Sequence, residues 1–295
     1  MSDSTVAIGA CKSARPLVSI VTVCLNQRRF IVDTLESVMS QAYWPIEHIV
    51  VDGGSTDGTV EVLRQYAAKY DLRWASEADR GLSHAFNKGV IAASGQWLYF
   101  LNGDDYLVDS DAIGRVMEWI VSHPGHSIYM GSTVGVDEHG AEIARSETPP
   151  VNTIYTRDDL LNEGAPVIHQ GTFYHRRVFM VAGPYSEKYR THMDYEFHLR
   201  ASRYFDIAVM GVPVACFRMH LLALSQQAQW RRSAELLGAR VSHGGSLWHR
   251  DNLRFIRGFL ATWPATRWLV RWLGGTRLRT IISWARGSRA PDTLE

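Results

Sequence analysis

The apolar run "WLYFL" (97–101) ends on Asn102, Gly103, Asp104 and Asp105, so an amide and two adjacent carboxylates close it. Like charges at that spacing repel, and neither acid is buried cheaply without a cation or a hydrogen-bond partner. Two hard oxygen donors suit Mg²⁺ or Mn²⁺, which would screen the repulsion. An Asx-type turn after a strand accounts for the same residues without a ligand.

Three other polar clusters also follow short apolar runs: "NQRR" (26–29), "DGGSTDG" (52–58) and "EADRG" (77–81). In the second, Gly53 and Gly54 let backbone approach a ligand closely, while Ser55 or Asp57 can cap the helix that follows. Asp52, at the end of its run, can accept a hydrogen bond from a base or a ribose hydroxyl. No glycine-rich fingerprint follows the first run and no P-loop is present, so a divalent cation is the expected counter-charge for any phosphate.

The elements that must position these clusters are legible in the periodicity. "LVSIVTVCL", "IEHIVVD", "LRWAS" and "QWLYFLN" read as strands. They alternate with "FIVDTLESVMSQA", "TVEVLRQYAAKY" and "GLSHAFNKGVIAAS", which have helical spacing. That rhythm predicts right-handed βαβ units, hence an α/β fold with a mainly parallel sheet and helices on both faces. The four clusters then share the carboxyl edge of the sheet, where such folds bind ligands. From Ser127 the rhythm changes to a hairpin turning at 137–140, then "VIHQGTFYHRRVF", a helix over "HMDYEFHLRASRYF" and a strand "IAVMGVPVACFRMH".

These motifs have a familiar order. "VSIVTVCLN", "IVVDGGSTDGT", "EADRGLSHAFNKGV" and "GQWLYFLNGDD", continued by "HQGTFYHRRVF" and "HMDYEFHLR", resemble the family 2 inverting glycosyltransferases of the GT-A fold over roughly residues 17–225. The resemblance implies a nucleoside-diphosphate-sugar donor, most simply a UDP-sugar, and a glycan or lipid-linked saccharide acceptor in cell-surface polysaccharide biosynthesis. It implies donor contacts at Val23, Asn26, Asp52, Asp79, Lys88, Asn102 and Asp104. Asp104 and Asp105 would hold Mn²⁺ or Mg²⁺ with His220 as a third ligand. His169, Gln170 and Glu196 fall on the acceptor side, and Asp194 on the catalytic base. Asn102 stands where a strict D-x-D has its first acid, which leaves open which of the two aspartates meets the metal.

Two other readings use the same strand-end acids. A sugar-nucleotide nucleotidyltransferase would want a glycine-rich basic loop after the first strand, which "CLNQRRF" lacks; a non-catalytic glycan- or nucleotide-sugar-binding module needs no base at all.

The expected organisation is a disordered leader (1–16), a GT-A domain (17–225; donor half 17–109, acceptor half 110–225) and a basic, Trp-rich helical segment (226–295). In that last segment Trp268 and Trp272 alternate with Arg267 and Arg271, a composition suited to an anionic membrane surface. The net charge of +1 argues against a nucleic-acid partner. Cys11, Cys24 and Cys216 are scattered, without disulfide or zinc spacing. No apolar run approaches the roughly 20 residues of a membrane span. The expected location is therefore cytoplasmic, peripheral on the inner face of the cell membrane.

Overall fold

A computed structural model describes residues 15–145, 150–163, 168–220 and 229–246. The first hundred residues fold as β1 (Val18–Cys24), α1 (Ile31–Met39), β2 (Ile46–Asp52), α2 (Thr59–Ala67), β3 (Leu72–Ser76), α3 (Leu82–Ala92) and β4 (Trp97–Asn102). Then come β5 (Tyr106–Leu107), α4 (Ala112–Ser122), β6 (Ile128–Val136), β7 (Glu142–Arg145), β8 (Ile154–Tyr155), β9 (Thr172–His175), α5 (Arg177–Ala182), α6 (Met193–Ala201), β10 (Ile207–Arg218) and α7 (Gln229–Ser242).

Among the described residues the strands form one 10-stranded sheet, ordered β3-β2-β1-β4-β9-β6-β10-β5, with β7 on β6 and β8 on β10. β3, β2, β1 and β4 are mutually parallel, as the βαβ rhythm predicts. β9 runs antiparallel to both β4 and β6, so the far half is mixed.

Strand alternation assigns the two faces. Leu98 and Phe100 pack in one core with residues of α3, α5 and α6. Trp97, Tyr99 and Leu101 point the other way, onto α4 and the Val38 side of α1. α2 covers the same face further out, against Val50. Each large side chain wholly buried here, such as Phe100, contributes about 1.5–3 kcal/mol. α3 lies close on β1 because Gly89 faces Val21, where a Cβ would collide.

Register then delivers the site. Cys24 pairs with Asp52, Asp52 with Ser76, and Val23 with Asn102, so the polar ends fall on one edge. The compact unit that holds the sheet runs to Gly244, and Ala239 of α7 belongs to the same core as α6. The sequence from 247, like the leader to residue 14, lies outside the described residues. Among the described residues no helix is long and apolar enough to cross a membrane.

Candidate active site

Asp52 builds the turn after β2. Its carboxylate accepts hydrogen bonds from the N–H groups of Gly54 (3.1 Å) and Ser55 (2.9 Å), the Ser76 hydroxyl (2.6 Å) and the Ser55 hydroxyl. A carboxylate offers about four such positions, and Asp52 is fully buried. Asp52 thereby shapes the turn at the carboxyl edge of the sheet, where the expected nucleobase contact would lie. Asn26, in a left-handed conformation at φ 53°, joins that loop to the end of β1. Its N–H donates to the Ser55 hydroxyl at 2.7 Å, and its Oδ1 accepts from Thr56 N–H at 2.9 Å. Val23, expected near the donor, has its side chain in the core instead, because its position on the pleat faces α3.

Asp79 leans against the glycine turn. A Cβ on Gly53 would approach its Oδ2 to 2.6 Å, so a bare backbone at 53 is what lets the "EADRG" loop close up. Asp79 Oδ1 accepts from Gly81 N–H at 2.8 Å. Lys88 braces this loop from α3, pairing with Glu77 at 2.9 Å and donating to the Ala78 carbonyl at 3.3 Å.

The two adjacent acids face opposite ways. Asp105 is fully buried and accepts from Arg218 N–H (2.8 Å) and Asn102 Nδ2 (3.0 Å). Burial, then the neighbouring Asp104, raises its carboxyl well above the ordinary range, against the pull of these hydrogen bonds and of Gln170. Asp105 is thus an internal strut at the end of β4. Asp104 instead meets His220, Oδ2 to Nε2 at 2.9 Å, at the end of β10. The His220 ring packs on Phe30 with centroids 4.8 Å apart.

Asp104 and His220 are the residues to test for a divalent cation. Adjacent ligands on an octahedral ion at 2.0–2.1 Å stand about 3.0 Å apart, which the 2.9 Å separation satisfies without rearrangement. Carboxylate oxygen with imidazole nitrogen is a donor set Mn²⁺ accepts. Among the described residues no cluster of three or more His, Cys, Asp or Glu occurs. An ion here would draw its remaining ligands from substrate and water.

Across the edge, α6 starts at Met193 and carries Asp194 in its first turn. Burial pushes the Asp194 carboxyl up to about 6, against the opposing pull of hydrogen bonds from the helix's own amides and of Arg232. Tyr195 N–H donates to its Oδ1 at 2.8 Å. The chain entering α6 is pinned to α3: Asn87 hydrogen-bonds both the carbonyl (2.9 Å) and the N–H (2.8 Å) of Tyr185, and the Ser83 hydroxyl donates to Tyr189 O at 3.0 Å. Arg80 forks onto Glu187 with two bonds of 2.8 Å. The helix after the third strand thereby fixes where Asp194 stands.

Of the other expected acceptor-side residues, Glu196 and His169 are buried and Gln170 is half-buried. Glu196 takes two 3.0 Å bonds from Arg200 and one of 3.1 Å from His243, which outweigh burial and lower its carboxyl to about 2. It is the centre of a buried ion-pair cluster. His169 stacks on Phe100 and reaches the Tyr185 hydroxyl at 3.2 Å, and burial lowers its imidazole to about 4. Gln170 supports Asp105, and its carbonyl accepts from the Tyr99 hydroxyl at 2.7 Å.

Sequence reasoning missed Arg218. Its N–H holds Asp105, its guanidinium pairs with Asp33 at 2.6 Å, and Phe30 and Tyr106 flank it at 4.6 and 5.2 Å. The signal was an arginine closing the apolar run of β10, two residues before His220.

A sheet of this order, with loop-built donor edge, metal-compatible pair and helix-borne carboxylate, defines a glycosyltransferase of the GT-A fold. The Glycosyl transferase family 2 profile matches residues 19–182, and the chain belongs to that family. It is 29% identical over 279 residues to a PGL/p-HBAD biosynthesis glycosyltransferase of Mycobacterium tuberculosis (strain ATCC 25177 / H37Ra), covering 92% of this chain and 99% of that one. An Escherichia coli chondroitin synthase is 26% identical over 188 residues, covering 63% of this chain and 26% of the synthase. In fold it is similar to S. aureus TarS 1–349 in complex with UDP-GlcNAc (TM-score 0.61, 17% identity, 75% of this chain and 66% of that one). It is also similar to the mannosyltransferase PcManGT from Pyrobaculum calidifontis in complex with GDP-Man and Mn2+ (TM-score 0.59, 16% identity, 93% and 84%).

Proposed function

We propose that this glycosyltransferase inverts the anomeric centre of a nucleoside-diphosphate sugar, most simply a UDP-sugar, and delivers it to a glycan or lipid-linked saccharide. The observation that carries this is Asp194, a half-buried carboxylate in the first turn of α6 held to about 6, in a fold that also brings Asp104 and His220 together at 2.9 Å. Asp194 takes the acceptor hydroxyl proton as that oxygen bonds to the anomeric carbon, while the bond to the nucleoside diphosphate breaks on the far face. Asp104 and His220 would hold Mn²⁺ or Mg²⁺, which supplies positive charge against the leaving diphosphate. The turn built by Asp52, Asn26 and Asp79 receives the nucleoside, and Asn102 supports Asp105 beneath it. UDP-GlcNAc and GDP-Man in the fold neighbours support a nucleotide-sugar donor.

The test is a panel of UDP-glucose, UDP-N-acetylglucosamine and GDP-mannose with Mn²⁺, read as nucleoside diphosphate release. A UDP-sugar should be consumed and EDTA should stop it. Pyrophosphate from UTP and a sugar 1-phosphate would instead indicate nucleotidyl transfer, and no turnover a binding module.

The basic segment beyond residue 247 supports attachment to an anionic cytoplasmic membrane face, where a lipid-linked acceptor would lie. Each basic residue near such a surface contributes about 1 kcal/mol, so Arg267→Gln with Arg271→Gln in the full chain should weaken partitioning about thirtyfold. Sedimentation with phosphatidylserine vesicles measures it; unchanged binding, or none by the parent, removes the membrane from the proposal.

A further inference from the structure

α7 lies beyond the part of the chain that the family profile matches, yet it reaches the approach to the base. The Glu235 carboxylate accepts hydrogen bonds from three consecutive main-chain N–H groups, of Arg190 (3.1 Å), Thr191 (2.8 Å) and His192 (3.1 Å). The Thr191 hydroxyl adds a fourth at 2.8 Å. Successive amides converging on one anion make a strong, directional cradle. His192, at the N-cap of α6, makes no side-chain capping bond of its own. The anion that a helix start favours therefore comes from another helix and is applied two residues before Asp194.

Other contacts fix α7 in that place. His243 donates to or accepts from Glu196 at 3.1 Å, Arg240 donates to the Tyr195 hydroxyl at 2.9 Å, and Arg157 donates to His243 O at 2.6 Å. The Glu235 carboxyl is lowered, because the amides and hydroxyl of residues 190–192 outweigh its burial, so it is an anion at neutral pH.

We propose that Glu235 is a positioning residue for the base: it fixes the turn that aims Asp194 and sets the charge beside it. This rests on the reading of Asp194 as base. Arg232 from α7, His198 from α6, Tyr174 from β9 and Tyr185 from the loop before α6 interact with Asp194, while Arg232 and Glu235 act on His192 at the N-cap of α6. Removing the Glu235 charge leaves Arg232 and the freed amides acting on Asp194, which favours its ionised form. The acid limb of the rate profile should then move to lower pH.

Full-length Glu235→Ala and Glu235→Gln are compared with wild type on the fastest-hydrolysed donor of the panel, water standing in for the acceptor. Because a 1 Å misplacement costs up to a hundredfold, Glu235→Ala should lower kcat about thirtyfold with donor KM within about twofold. Its acid limb should shift down by roughly half a pH unit. Gln keeps one acceptor oxygen and should recover roughly tenfold of the lost rate while retaining the limb shift. Amide exchange over residues 190–194 should quicken in the Ala variant. Unchanged kcat overturns the proposal, as does a joint fall of kcat and donor affinity that Gln does not relieve. Unchanged exchange overturns it even without turnover data. If Asp194→Asn is inactive while Glu235→Ala is fully active, the positioning role alone fails; an active Asp194→Asn removes the base itself.

Discussion

Asp194→Asn should lower the transfer rate by about a hundredfold to ten-thousandfold, the range attributed to a positioned general base, with nucleotide binding intact. The pH dependence follows from the raised carboxyl. A base works ionised, so kcat/KM of the wild type should climb as pH rises through about 6 and be lost below it. The residual activity of the Asn variant should lack that limb. Stability moves the other way. An acid whose folded value exceeds its unfolded value of 3.8 penalises the fold when ionised; the penalty is full above about 6 and disappears as pH falls below 3.8. A neutral isostere should therefore stabilise the protein at pH 7.5 by about 2 kcal/mol, and raise Tm by several degrees. A variant that is both inactive and harder to melt has lost chemistry, not structure. Near-wild-type transfer with intact donor binding would exclude Asp194 as the base.

The adjacent acids should separate cleanly on mutation. Asp104→Ala should cut kcat/KM about a hundredfold or more and weaken Mn²⁺-dependent UDP binding by at least about tenfold, since a metal-held leaving group is worth several kcal/mol. Its melting should change little, because Asp104 contacts His220 rather than the backbone scaffold. Asp105→Ala removes the acceptor for Arg218 N–H and Asn102, leaving buried donors unpaired at about 1–3 kcal/mol each. It should melt early. Calorimetric titration of UDP with and without Mn²⁺, beside thermal melts of both variants, reads the two effects. Equal loss of metal response in both, at equal stability, would return Asp105 to the ligand set.

What the sequence revealed was whatever local pattern determines. The four strand ends and the hairpin at 137–140 could be read because burial on both faces writes β-branched runs and because turn residues are locally chosen. β9 could not be read as the strand between β4 and β6, since four residues, Thr172–His175, carry no partner information. For other polar residues the sequence could not show the partners. His169 and Glu196 look like site residues by type, and only tertiary packing gives them buried partners, Phe100 for one and Arg200 with His243 for the other. Glu235 had a faint signal, an acid in an otherwise arginine-rich stretch, but its partners are main-chain amides some 45 residues away.

The stitching of α3 to the segment before α6 also bears on inheritance. A recombination event at the apparent midpoint, near residue 109, would join a foreign α3 to this chain's 183–192 segment. Without an amide at 87, the Tyr185 N–H and carbonyl would lose both partners, and without a hydroxyl at 83 the Tyr189 carbonyl would lose its own. Donor and acceptor halves of this chain are therefore not expected to be exchangeable as separate cassettes. An exchange that keeps the base in place must carry residues 82–92 together with 183–201, and the sequences that survive such exchanges should show these two stretches changing in concert.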